Sequence, residues 1–172
     1  MSKQLLLCIE TSQKAKTDKI YIDETIDKYY KLGTEVKKRY IYLNGKSNYN
    51  KPKVMKEIAS AVSGYSYIGK THVIYCIDTD RYDSDPGQQA ELKEISQFCK
   101  DNGYDLIWFC RDVEDVFWGE QVPNADKTRR AAQFRSSRRI EEIEDSRLKC
   151  SIYIRHYSNI LKVLDEYIEK KA

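Results

Sequence analysis

The chain is poor in the residues that mark linkers, disulfide frameworks and membrane segments. Its 172 residues include only seven glycines and three prolines, which leaves little room for a flexible linker. Five cysteines, an odd number without a CxxC pair, argue against a disulfide framework or a zinc knuckle and favour a reducing compartment. No segment approaches the roughly 20 apolar residues that a membrane-spanning helix needs. We therefore expect a single soluble, cytoplasmic domain with no membrane partner.

The chain also has few histidines and a small net charge. His72 and His156 are the only histidines and lie far apart in the sequence, which argues against a histidine-based nuclease or zinc site. The 30 basic and 27 acidic side chains leave a formal net charge of +3, too small to indicate a nucleic-acid partner by itself. The positions of the charged residues are therefore more informative than their sum.

Short apolar runs alternate with amphipathic helical patterns along the chain. Strands are predicted at 4–9, 36–43, 71–77 and 104–110. Helices are predicted at 17–30, from Pro52, and from Pro86 to the Asn102-Gly103 pair. This alternation predicts an α/β fold with a mainly parallel sheet and helices on both faces. Residues 1–120 would form the core, and 121–172 a helical extension, helical from about 126, packed on the same domain.

Acidic residues follow three of the predicted strands. Glu10 follows the first strand, and Asp78 and Asp80 follow the third. Further acids in similar positions are Asp83, Glu114 and Asp115. The carboxyl ends of parallel strands meet at one edge of a sheet, and residues i and i+2 of an extended segment point the same way. Asp78 and Asp80 are therefore expected to converge. The alternative is that these acids only cap helices and form turns.

Convergent carboxylates favour a hard divalent cation. Three carboxylates close together repel one another, and burial raises that cost. Mg²⁺ relieves the repulsion and is usually held by one or two carboxylates together with waters and substrate phosphates. Such an ion stabilises charge that develops on phosphate and activates bound water. We predict that Glu10, Asp78 and Asp80 hold Mg²⁺ (or Mn²⁺) and form a catalytic site for phosphodiester chemistry.

The order of these motifs resembles that of the Toprim domain: a Glu after the first strand, then helix, strand and helix, then a strand ending in Asp-x-Asp. Three segments are similar to the RloB-like branch and to the overcoming-lysogenization-defect nucleases: CIETSQKAKTDKIYID, VIYCIDTDRYDSD and LIWFCRDVEDVFWG. This resemblance covers roughly residues 4–119. It implies that Glu10 is a metal ligand or general acid/base, that Asp78 and Asp80 are metal ligands, and that Glu114 or Asp115 lies beside them. It also implies Mg²⁺-dependent cleavage of RNA or DNA, or nucleotidyl transfer, in prokaryotic phage defence.

Basic residues near the predicted site are candidates for phosphate contact. Lys14, Lys16, Arg81 and Arg111 flank the acids and can neutralise a transition-state phosphate. The segment 127–139 holds six basic residues, of which the arginines are Arg129, Arg130, Arg135, Arg138 and Arg139. These arginines either contact nucleic acid or pair with acids one turn further on, at Glu141, Glu142, Glu144 and Asp145. The sequence leaves both interpretations open.

Two other functions stay open. Thr11 stands where Toprim proteins usually have glycine, and this motivates a non-catalytic module that binds a nucleotide or a partner. Residues 64–71 match the GxxxxGK[ST] phosphate loop of NTPases, but a helix is predicted before them and a strand after them, the reverse of what that loop needs. The sequence does not decide between RNA and DNA, or whether an ATPase partner switches the activity on.

Overall fold

Near-continuous apolar runs form three strands of a four-stranded parallel sheet, and the fourth, at one edge, mixes aromatic and basic residues. In the computed structural model, which describes residues 1–172, the strand order is β3-β1-β4-β5. The two central strands, β1 and β4, are buried on both faces, as expected for parallel strands covered by helices. The strands are β1 (Ser2–Ile9), β2 (Tyr30–Lys31), β3 (Val36–Tyr42), β4 (Gly69–Asp78), β5 (Asp105–Phe109) and β6 (Glu169–Lys170).

Helices begin and end near the residues that the sequence indicates. Pro52 and Pro86 each stand at the first position of a helix, and Gly103, at φ 69°, ends the helix that Asp85 caps. The helices are α1 (Thr17–Tyr29), α2 (Pro52–Tyr65), α3 (Pro86–Asn102), α4 (Val113–Trp118), α5 (Lys127–Ser136) and α6 (Ile160–Leu164). None of them is both long enough and apolar enough to cross a membrane.

Each face of the sheet carries its own hydrophobic core. Leu5, Leu7 and Ile9 of β1 face the larger core, which includes buried side chains of α1, α4, α5 and α6. Leu6 and Cys8 face the smaller core, which includes side chains of α2 and α3. The prediction of an α/β fold with a mainly parallel sheet and helices on both faces is therefore confirmed.

The C-terminal segment is less regular than the sequence suggests. Helix is predicted from about residue 126 to the end, but α5 and α6 are separated by irregular chain and the short 3₁₀ turns Arg139–Glu142 and Asp145–Leu148. The apolar residues buried here, Ile140, Ile143 and Leu148, are irregularly spaced and do not form a stripe on one helix face. The prediction of continuous helix is therefore wrong between α5 and α6 and also after Leu164, where the chain leaves α6 and forms β6.

The two edges of the sheet differ. Residues 157–159 run along β5, where Asn159 Oδ1 accepts a hydrogen bond from the Trp108 backbone N–H at 2.9 Å and Asn159 Nδ2 donates to Leu106 O at 2.8 Å. On the opposite edge, β3 carries the basic run Lys37, Lys38 and Arg39. A small antiparallel ribbon of β2 and β6 ties the C-terminus to the chain after α1.

Candidate functional site

The strand order places a switch point between β1 and β4. The chain leaves β1 toward β3 on one side and leaves β4 toward β5 on the other, so the crossovers diverge between the two central strands. In open parallel sheets, ligands bind in the crevice beyond the carboxyl ends of such a strand pair. Glu10 follows β1 directly and Asp78 is the last residue of β4. Both predicted acids therefore lie at the switch point.

Backbone amides fix Glu10 and Asp78 next to each other. The backbone N–H of Asp78 donates a hydrogen bond to Glu10 Oε1 at 2.6 Å, and the backbone N–H of Val113, at the start of α4, donates to Asp78 Oδ1 at 3.0 Å. The second oxygen of each carboxylate makes no hydrogen bond within the protein. Each side chain is thus held in place and keeps one oxygen for a ligand.

Asp80 is held by a lysine. Its backbone is left-handed, at φ 48°, so the rule that residues i and i+2 of a strand point the same way does not apply to it. Lys46, buried in the 3₁₀ turn Lys46–Asn48, donates to Asp78 O at 3.1 Å and forms an ion pair with the Asp80 carboxylate. The structure therefore brings Glu10 and Asp78 together and directs Asp80 to an ammonium group beside them.

Three further acids, Asp18, Asp112 and Glu114, lie near Glu10, Asp78 and Asp80, and these six residues are here called the acidic cluster. The sequence alone pointed to Glu114 but not to Asp18 or Asp112. Asp18, in the first turn of α1, is 6% exposed, and Glu114 of α4 is 1% exposed. Asp112 caps α4 by accepting a hydrogen bond from the backbone N–H of Asp115 at 2.8 Å. Lys127 of α5 faces the cluster, with its Nζ 3.5 Å from Glu114 Oε2 and 3.7 Å from Asp112 Oδ2.

Helical register is a sequence signal for Asp18 and Lys127. Asp18 lies three and four residues before the buried Tyr21 and Ile22, and Lys127 lies four and seven residues before the buried Ala131 and Phe134. Each charged residue therefore continues the apolar stripe of its helix, an unusual position for a charge unless it has a partner. No periodic pattern marks Lys46, which lies in a loop turn.

Burial and mutual repulsion raise the pKa of these carboxyl groups. Burial, then the charge of Glu114, raises the pKa of Asp18 to about 7. Burial and the charge of Asp112 raise the pKa of Glu114 to about 7, although Lys127 opposes the shift. The pKa values of Glu10 and Asp78 also lie well above the ordinary range, chiefly because of burial and then the neighbouring carboxylates. The cluster therefore has more negative charge than its two lysines neutralise.

Many unsatisfied polar atoms gather around this cluster. Of the seven buried side-chain N or O atoms that lack a hydrogen-bond partner, five lie on residues at the carboxyl end of β1, β4 or β5 or in α4. These five atoms are Thr11 Oγ1, Thr79 Oγ1, Arg111 Nε, Glu114 Oε2 and Asp115 Oδ1. Buried polar groups are nearly always paired, so such a concentration marks a place where ordered water or a ligand can bind. No set of three or more His, Cys, Asp or Glu side chains is arranged to hold a metal ion in this conformation.

A polar cleft adjoins the acidic cluster. Its volume is about 550 Å³, and all of its lining residues are charged or amide side chains: Asp80, Arg81, Gln88, Arg111, Asp112, Asp115, Gln121 and Arg155. Arg81 makes no ion pair, while Arg111 lies 3.7 Å from Asp83 and Arg155 Nε lies 3.4 Å from Asp115 Oδ2. Asp80 and Asp112 connect this cleft, here called the arginine cleft, to the acidic cluster.

The remaining predicted residues lie at different distances from the site. Lys14 and Lys16 are exposed in the loop after Glu10. Asp115 is buried and also contacts His156, whose Nδ1 lies 3.1 Å from Asp115 Oδ2. Residues 64–71 form the end of α2 and the start of β4, at the opposite end of the sheet from Asp78. The helix therefore precedes the strand there, as the sequence predicts.

The arginines of the basic segment each have an acidic neighbour and do not line the arginine cleft. Two of them pair as one of the sequence interpretations predicts, Arg138 with Glu141 at 3.9 Å and Arg139 with Glu142 at 3.0 Å. The other pairs are Arg129–Asp126, Arg130–Glu120 and Arg135–Glu24. Of this segment, only Lys127 reaches the acidic cluster.

No protein-family model, curated protein or solved structure matches this chain. The Toprim-like and RloB-like assignment therefore stays a prediction that rests on the three sequence segments.

Proposed function

We propose that this chain catalyses Mg²⁺- or Mn²⁺-dependent cleavage of phosphodiester bonds in RNA or DNA at the acidic cluster. The observation that carries the proposal is the coincidence of three features at one switch point: excess buried carboxylates, unsatisfied polar atoms and a cleft with three arginines. Carboxylates supply the ligands that a hard cation prefers, and arginines suit the phosphate of its substrate. A role in prokaryotic defence and an ATPase partner follow from the resemblance alone.

The chemistry of the donor set fits a divalent cation. Glu10 and Asp78 each keep one carboxylate oxygen without a hydrogen bond, and the hydroxyl of Thr11 beside them has no partner. In this proposal Glu10 and Asp78 would hold the cation, and Asp80 would join them by exchanging its ion pair with Lys46. When bound, the ion would polarise the phosphate and lower the pKa of an attacking water.

The surrounding side chains have separate roles in the proposed reaction. Lys46 neutralises Asp80 in the absence of another cation and, when displaced from it, would be free to pair with a substrate phosphate. Arg81 and Arg111 face the cleft and would bind the phosphate groups of the strand. Asp18 and Glu114, whose pKa values are about 7, exchange a proton near neutral pH and would lose it when a cation binds nearby.

Cleavage of end-labelled oligonucleotides tests this proposal. RNA and DNA, single-stranded and structured, are incubated with Mg²⁺ or Mn²⁺ and with wild-type protein or Asp78→Asn. Asparagine keeps the shape of the side chain and can still accept the hydrogen bond of Val113 N–H, so we expect the variant to fold and to lose cleavage. Asp101→Asn, an exposed substitution on α3, is the matched control. Cleavage that Asp78→Asn does not reduce would contradict the proposal.

A second candidate function is supported by the contacts of Lys46. Its ammonium group already neutralises Asp80 and binds the carbonyl of Asp78, as an internal cation would in a non-catalytic module that binds a nucleotide or a partner. Calorimetric titration with Mn²⁺ separates the two functions. A metal-dependent enzyme takes up Mn²⁺ in a way that Glu10→Gln abolishes, whereas a binding module shows no uptake that depends on Glu10.

A further inference from the structure

A second cleft lies against the arginine cleft and has a different lining. Its volume is about 480 Å³, and its aromatic residues are Tyr82 and Tyr153. The two clefts are built from the same chain segments: Arg81 and Gln88 line one, while the adjacent Tyr82 and Gln89 line the other. In the same way, Arg155 lines the arginine cleft and Tyr153, two residues before it, lines the second cleft. A ligand in the arginine cleft therefore needs only a short extension to reach the second cleft.

The two tyrosines form an ordered, accessible platform. Their rings lie 5.3 Å apart in an edge-to-face arrangement, and the Tyr82 hydroxyl donates to Tyr153 O at 2.8 Å. Tyr153 also packs on Trp108 of β5 at 4.9 Å, yet it is 37% exposed. Ile152 and Ile154 beside it are exposed as well. The ring of Tyr153 is thus held from below by Trp108 and accessible to a ligand.

Two arginines of the arginine cleft, Arg81 and Arg111, are available to bind phosphate. Lys46 forms an ion pair with Asp80, and Arg155 forms one with Asp115. Asp112 lies 3.7 Å from Lys127 Nζ and accepts a hydrogen bond from the backbone N–H of Asp115 as the cap of α4. Each of the three aspartates of the arginine cleft therefore has a cationic neighbour other than Arg81 and Arg111. Arg81 makes no ion pair, and the one ion pair of Arg111 is with Asp83, at 3.7 Å.

We propose that the tyrosine pair and the arginine cleft together bind unpaired nucleotides, with a phosphate on Arg81 and Arg111 and a base stacked on Tyr153. Aromatic side chains next to basic groups are how proteins hold single strands, because every base has a face that can stack. In a duplex that face is covered by the neighbouring bases, so the tyrosines favour single-stranded or looped nucleic acid. This inference rests on the proposed function for its substrate class and narrows that class to unpaired strands.

Fluorescence anisotropy with a labelled single-stranded oligonucleotide tests the inference, and EDTA is present so that binding is measured without cleavage. Tyr153→Leu removes the aromatic face and keeps an apolar side chain, and we expect it to weaken binding by at least about fivefold, since stacking contributes roughly 1–3 kcal/mol per base. Tyr153→Phe is the matched control, because the Tyr153 hydroxyl makes no hydrogen bond in the protein. This variant should bind as the wild type does.

A second variant tests the phosphate contact independently of the tyrosine. Arg81 is exposed and unpaired, so Arg81→Gln should leave the fold intact. We expect it to weaken binding and to reduce the slope of log K against log salt by about 0.7, the value for one phosphate contact on a single strand. Equal binding by Tyr153→Leu and wild type, equal affinity for a duplex of the same sequence, or no binding to any oligonucleotide would each overturn the inference.

The outcomes for binding and for cleavage are distinguishable. Tyrosine-dependent binding in EDTA, combined with cleavage that does not need Asp78, would uphold this inference and refute the proposed chemistry. Asp78-dependent cleavage, combined with binding that does not need Tyr153, would refute the inference and leave the chemistry in place.

Discussion

Asp18→Asn tests whether the acidic cluster is electrostatically strained in the absence of a bound cation. Asp18 is nearly fully buried, and its pKa is raised from 3.8 to about 7 by burial and by Glu114. Asparagine preserves the size and the acceptor oxygen of the side chain and removes its charge. We expect the variant to be more stable than the wild type at pH 8 and equally stable at pH 3.

The size of the expected gain in stability follows from the pKa shift of Asp18. Because the pKa is higher in the folded state than in the unfolded state, the wild type keeps its full stability below about pH 4 and loses stability as the pH rises to about 7. A shift from 3.8 to about 7, at about 1.36 kcal/mol per unit, corresponds to roughly 4 kcal/mol. The favourable interaction of the Asp18 charge with the dipole of α1 is already contained in this shift. The expected gain for Asp18→Asn at pH 8 is therefore about 4 kcal/mol.

Urea unfolding, followed by the fluorescence of Trp108 and Trp118, measures the free energy of unfolding between pH 3 and pH 8 in the presence of EDTA. Asp27→Asn, an exposed substitution on the same helix, is the control and should change stability little at any pH. A gain for Asp18→Asn that does not depend on pH, or no gain at pH 8, would refute the assignment of Asp18 as a buried, repelled carboxylate.

Three other predictions concern stability. Mn²⁺ at about a hundredfold excess over its Kd should raise the free energy of unfolding of the wild type at pH 8 by about 2.7 kcal/mol, and Asp78→Asn should abolish the gain in the same urea assay. Lys127→Gln leaves Glu114 buried without its nearest cation and should lower the free energy of unfolding at pH 8 by roughly 1–3 kcal/mol. The loss should be smaller at pH 5, because Glu114, with a pKa of about 7, is protonated there. An equal loss at both pH values would contradict this prediction. Gly103→Ala should cost about 1 kcal/mol, because φ is 69° and no atom lies near the added methyl group, and thermal melting measures it.

The sheet and its flanking helices were predictable because β1, β4 and β5 contain near-continuous apolar runs, β3 is rich in β-branched and aromatic residues, and α2 and α3 each begin at a proline. Pro52, Pro86 and Gly103 mark helix boundaries through local backbone geometry, which depends little on the rest of the chain. The segment between α5 and α6 was not predictable in this way. Ile140 and Ile143 are buried by contacts with distant elements, and no local pattern specifies the path between them.

The acidic site was predictable in part for the same reason. Glu10 and Asp78 lie at strand ends, so the topology alone brings them together. Asp18 and Lys127 reach the cluster only because α1 and α5 pack on the same face of the sheet, and this packing is a tertiary property. The direction of the Asp80 side chain depends on a left-handed residue, and an alternating strand pattern has no means of indicating that conformation.

The covered edge at β5 and the basic edge at β3 determine whether a strand of another chain can pair with this sheet. An unpaired edge strand offers its N–H and C=O groups to any extended peptide, which is the first step of edge-to-edge aggregation. Here Asn159 and its neighbours take up that role along β5, so a further strand has no place to add on that side. Along β3, the exposed Lys37 and Arg39 would repel the same strand of a second copy, whereas Lys38 pairs with Asp23 at 2.6 Å. The sheet thus has a bound loop along one edge and like charge along the other, both of which disfavour edge-to-edge pairing, and neither feature uses residues of the acidic cluster.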